Sequence, residues 1–94
     1  MAIEYAKEMF VLELDAGGAE SEPIERKYDS VVIIQVKGCA LIKNEAGRII
    51  DAINQYSAVR LNSQNGFRFI LSTDKDHTKP FKAIVMHVEL PGEG

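Results

Sequence analysis

The chain has no tryptophan, one cysteine, three prolines and two histidines among its 94 residues. A lone Cys39 excludes an intrachain disulfide, and a thiol in an apolar run is a small core residue before it is a nucleophile. No apolar run is long enough to span a membrane. Glu4, Lys7 and Glu8 interrupt the apolar segment that an N-terminal signal peptide needs, so a reducing cytoplasmic setting is expected. Charge of one sign is also missing. The net charge is −3 with acids and bases interspersed, and without a basic stripe to track phosphates nucleic-acid binding is not expected. The phosphate-binding loop, the G-x-S-x-G elbow and the H-E-x-x-H zinc motif are all absent.

What the chain does have is a set of short apolar runs, at 46% hydrophobic and 27% charged residues. The most informative is Asp29 to Gly38, DSVVIIQVKG, in which Val31, Val32, Ile33, Ile34 and Val36 are β-branched. A strand apolar on both sides needs cover on both faces. Further strands are expected over Met9–Leu14, Cys39–Ile42, Arg48–Ile53, Ala58–Leu61, Phe67–Ser72 and Phe81–Leu90, while Met1–Glu8 is ambiguous between strand and helical arm. The segment Glu20–Arg26, with Pro23, suits an edge or loop. Turns are expected at Asp15–Ala19, Asn44–Gly47, Asn54–Ser57 and Asn62–Gly66, and an exposed loop at Thr73–Pro80. Seven or eight strands without a helix give one all-β domain over residues 1–94, a small jelly-roll barrel or β-sandwich. A domain this small buries only about 60–65% of its unfolded surface, so self-association would help its stability.

The order of turns resembles the cupin superfamily. In its first motif a glycine is followed after five residues by His-x-His, then by Glu and a closing glycine. Gly18 and Gly38 stand at the two glycines, with Ile24, Arg26 and Val31 where the metal ligands would be. In the second motif Phe67 falls at the ligand histidine, with Tyr56, Asn62, Gln64 and Leu71 at the other marked positions. A first-row metal site needs about three or four converging His or carboxylate ligands. Three apolar side chains and a cation do not supply them, so the resemblance implies a metal-free, cofactor-free, non-enzymatic domain. It also makes Arg26, Phe67, Ile24 and Val31 the candidate ligand-binding residues, with Arg26 and Phe67 turned inward. An inward Arg26 implies a small anionic ligand, because a buried guanidinium needs a partner; otherwise its stem packs and its head snorkels to the barrel mouth.

The remaining polar residues are weaker candidates. His77 lies in the polar stretch DKDHTKP, and Asp74 and Asp76 lack the glycine and distal glutamate of a calcium loop. His87, opposite in parity to Ile84, Met86 and Val88, is expected on a solvated sheet face or in a subunit interface. His87 and Glu89 lie roughly 7 Å apart on one strand, too far for an acid–base pair. Gln35 and Arg60 read as surface-face residues. Residues that are apolar on both faces of their strands point to a homodimer or higher homo-oligomer through an apolar β-face. The expected function is therefore a metal-free cupin-like binding or oligomerisation module, with small-molecule sensing as one use. The alternative is a small β-sandwich structural or assembly protein, such as a viral or phage accessory protein.

Overall fold

A computed structural model describes residues 5–54, 58–62, 68–75 and 78–89. It has eight strands: β1 (Tyr5–Leu14), β2 (Ile24–Glu25), β3 (Ser30–Lys37), β4 (Ala40–Asn44), β5 (Ile49–Ile53), β6 (Ala58–Asn62), β7 (Arg68–Ser72) and β8 (Phe81–Glu89). They form two antiparallel sheets, in the orders β1-β8-β3-β6 and β2-β7-β4-β5. The pairs β1 with β8, β2 with β7, β3 with β6 and β4 with β5 are all hydrogen-bonded. That is the pairing of one long ribbon folded over on itself, the jelly-roll arrangement. The sheets stay separate rather than closing on each other, so the fold is a sandwich and not a closed barrel.

The period of two along each strand decides what goes inside. On the first sheet Leu12 and Leu14, Val31 and Ile33, Leu61, and Phe81, Ala83 and Val85 face the core; on the second, Ile24, Ala40, Ile42, Ile53, Phe69 and Leu71 meet them. Val31, Ile33, Ile42, Ile53, Leu71, Phe81 and Val85 are wholly inaccessible to solvent. At about 1.5–3 kcal/mol for each fully buried aliphatic or aromatic side chain, this layer is the main stabilising term. The strand apolar on both faces is β3, whose Val31 and Ile33 enter the core while Val32 and Ile34 stand half-buried on the opposite side.

Several boundaries differ from the sequence reading. The ambiguous N-terminal segment joins the strand over Met9–Leu14, because β1 pairs with β8 along its whole length across a bulge between Ala6 and Glu8. Ile24–Glu25 forms a two-residue strand at the edge of the second sheet, against Phe69 and Arg68. The expected turns at Asn54–Ser57 and Asn62–Gly66 fall mostly outside the described residues, as do Phe67 and His77.

The polar segment between β1 and β2 is held down by the first residue of the expected exposed loop Thr73–Pro80, a residue that is buried instead. Thr73, 1% exposed, donates from Oγ1 to the Asp15 carbonyl at 2.8 Å and accepts from the Gly18 amide at 3.1 Å. The Thr73 amide donates to the Ala19 carbonyl at 2.9 Å, and the Ser21 amide to the Leu71 carbonyl at 2.7 Å. These bonds moor the turn after β1 to the end of β7.

Two glycines separate conformational from steric demand. Gly47 (φ +80°) closes the β4–β5 hairpin with open space around it, its amide donating to the Asn44 carbonyl at 2.9 Å. Gly38 (φ +77°) ends β3, and a Cβ there would run into the Pro80 carbonyl oxygen. Gly47→Ala should therefore lower stability by about 1–2 kcal/mol from the left-handed φ alone. Gly38→Ala should lose more, about 3 kcal/mol, since backbone must shift as well. Equal losses in urea unfolding would show that the Gly38–Pro80 approach is not tight.

Candidate functional site

The residues singled out by the sequence do not converge on an open interior. Ile24 (8% exposed) and Val31 (0%) come from opposite sheets and belong to the packed core. Phe67 lies outside the described residues. Arg26, just after β2, is half-buried; its Nη1 donates to the Tyr28 carbonyl, while its Nε is enclosed and has no partner. Gln35 donates from Nε2 to the Gly38 carbonyl at 2.9 Å, bracing the end of β3, and Arg60 donates from Nη1 to Ser30 Oγ at 2.9 Å. Among the described residues, no three His, Cys, Asp or Glu side chains converge as a metal site.

His87 is the largest departure from expectation. It is neither on a solvated face nor on an outer surface, but 2% exposed on the inner side of β8, in line with Phe81, Ala83 and Val85. Alternation left both sides of β8 apolar, so the sequence could not choose between them; the facing sheet does. Its ring lies 6.3 Å from that of Phe10 and 6.5 Å, edge-on, from that of Tyr28, centroid to centroid. Across the strand pair stands Glu8, whose Oε2 accepts from Lys27 Nζ at 2.8 Å. That hydrogen bond holds the Glu8 carboxyl below its usual range and raises the Lys27 ammonium. Burial pushes the His87 pKa down, opposed by Glu8 and reinforced by Lys27. His87 Nδ1 is enclosed without a partner, so the ring is held as a neutral space-filling group between two aromatic rings.

The surface with the strongest character is the outer face of the first sheet. Strand register sets two rows across it: Met9, Met86, Val32 and Arg60, then Val11, Ile84, Ile34 and Ala58. Seven of these eight side chains are uncharged. Met9 and Val11 are 63% and 57% exposed, and Val32, Ile34, Ile84 and Met86 are half-buried only by their neighbours in the sheet. Beyond the second row, Lys82 Nζ lies 3.5 Å from Glu13. The second sheet carries ion pairs at Arg68–Glu25 (2.9 Å) and Lys43–Glu20 (3.4 Å), with Ile49 of β5 exposed beside them. The apolar pattern was legible in DSVVIIQVKG and Phe81–Leu90, but only the register joins Met9 and Val11 of β1 to it. Elsewhere among the described residues the clefts are shallow, such as one of about 320 Å³ beside Pro23, Asn44, Arg68 and Phe69.

The buried His87 sets a pH dependence. A histidine whose folded pKa lies below its unfolded value near 6.5 supports the fold fully above that value. The support is lost as the pH falls from there through the folded pKa, because the unfolded chain binds the proton more readily. Wild type should lose stability in urea unfolding between pH 7 and 5, and His87→Phe should lose less over the same window. Parallel profiles for the two proteins would rule out a buried neutral His87.

No family model, curated protein or solved structure matches the chain.

Proposed function

We propose that the chain is a non-catalytic binding or oligomerisation module of the metal-free cupin-like kind, engaging its partner through the outer face of the first sheet. The supporting observation is the pair of rows Met9–Met86–Val32 and Val11–Ile84–Ile34–Ala58, continuous over the strands of that sheet. Contiguous apolar patches of more than a few hundred Å² on soluble domains are usually interaction sites. The interior offers less, since Ile24 and Val31 are core residues packed between the sheets. In a reducing cytoplasmic setting Cys39, half-buried after β3, stays a free thiol. The alternative, a β-sandwich assembly protein, uses the same face and differs in building a larger particle.

A second reading, a small anionic ligand, rests on Arg26. Its enclosed Nε–H has no acceptor, and a carboxylate or phosphate oxygen would supply one.

Ile34→Lys and Ile84→Lys should each reduce binding of a hydrophobic dye and lower the particle mass measured by light scattering. Stability should stay within about 1 kcal/mol of wild type, because both side chains point away from the core. Unchanged dye binding and mass would remove this face as the working surface. For Arg26, thermal shifts with a panel of small carboxylates and phosphates should be positive in wild type and absent in Arg26→Ala. A shift that survives the substitution would take Arg26 out of the ligand site.

A further inference from the structure

Three consecutive residues of β1 are exposed large apolar side chains. Met9 (63%), Phe10 (40%) and Val11 (57%) follow one another on β1, although Phe10 points to the inner side of the sheet and the other two to the outer. Consecutive exposure on both faces does not come from an uncovered face alone. It comes from an uncovered edge: β1 is the outermost strand of its sheet, and among the described residues it pairs only with β8. It is the longest of the edge strands, at 10 residues against 5 for β6, 5 for β5 and 2 for β2. From Met9 to Leu12 it carries no charge and no proline, the devices that ordinarily blunt such an edge.

We infer that β1 pairs antiparallel with β1 of a second copy, joining the two first sheets into one continuous eight-stranded sheet. This inference rests on the first sheet being the working surface and names its partner. A two-fold axis at Phe10 places residue i opposite residue 20 − i. Phe10 then meets its own copy on the inner side, and Met9 meets Val11 on the outer side. Glu8 and Leu12 share the inner side, while Lys7 comes within reach of Glu13 at each end of the contact. Every pair from Glu8 to Leu12 keeps both members on one side of the sheet, as antiparallel pairing demands, while Lys7, at the bulge between Ala6 and Glu8, meets Glu13 through the length of the two side chains. The charges at the ends are opposite, and each pair occurs twice by symmetry. The open backbone edge of β1 is satisfied by the same contact, and the apolar rows of the two outer faces run on into one another.

Charge exchange tests this register. Within one chain Lys7 already lies 3.1 Å from Glu89, and Glu13 3.5 Å from Lys82. Exchanging both charges would leave those two intrachain contacts repulsive, so any rescue reports the contact between copies alone. In sedimentation velocity over a concentration series, wild type should be a dimer at micromolar concentration. Lys7→Glu and Glu13→Lys should each weaken it about tenfold, given two affected pairs per dimer. The double variant should recover most of the affinity. Val11→Glu should give a folded monomer by circular dichroism. A wild-type monomer throughout the series would overturn the pairing, and so would a dimer indifferent to both charge reversals or not rescued by the double exchange. If such a dimer is dissociated by Ile84→Lys, the copies meet face to face: the edge pairing is lost and the working surface of the first sheet stands. If no variant of edge or face alters mass or dye binding, the surface reading falls as well.

Discussion

The structure depends on keeping water out from between two sheets. Val31, Ile33, Phe81 and Val85 on one side and Ile42, Ile53, Phe69 and Leu71 on the other form a layer with almost no exposed surface. No disulfide supports it, and the ion pairs lie on partly exposed side chains, where solvent screening leaves them little weight. Each strand must therefore present its apolar side inward in the correct register, since a slip of one residue would turn that side out to water. The mooring of the Asp15–Ser21 segment by Thr73 serves the same end by fixing where the chain crosses from the first sheet to the second.

A sandwich of this size has one interior, yet the chain supplies apolar residues for more than one. The surplus is placed unevenly. The second sheet carries the ion pairs Arg68–Glu25 and Lys43–Glu20 beside an exposed Ile49, whereas the first shows two nearly uncharged rows, bordered by Lys82–Glu13, and an edge uncharged from Met9 to Leu12. That asymmetry is the observation on which the proposed working surface rests. The interior is packed, because the core side chains fill the space where a jelly roll of larger bore would hold a ligand. His87 belongs to this account as a buried polar residue at the end of the core, set between Phe10 and Tyr28 with Glu8 and Lys27 nearby. It contributes shape at neutral pH and becomes a liability when it takes up a proton.

Much of the fold was legible in the residues. Alternation in Phe67–Ser72 and two-sided apolarity in Ser30–Lys37 identified strands, and Asn44–Gly47 identified a hairpin through chemistry confined to a few neighbours. The site was less legible. Arg26, Ile24 and Val31 were grouped by motif spacing, which counts residues along the chain and is blind to whether an interior is open or packed. The face that His87 takes on β8 could not be read, because Ile84, Met86 and Val88 make the other side equally apolar. Thr73 was read as the start of an exposed loop and is buried, because its partners Asp15, Gly18 and Ala19 are more than fifty residues away along the chain.

By itself the sequence determined that these residues build an all-β fold with more apolar strand surface than a single core can use. Periodicity and turn chemistry are local properties, written within windows of a few residues. Only the tertiary structure decided which side of each strand is inside, that the two sheets stay separate, and that β1 lies at an open edge. Those are consequences of pairing between distant strands: β1 with β8 and β3 with β6 set the rows of the outer face and leave Met9, Phe10 and Val11 at its border.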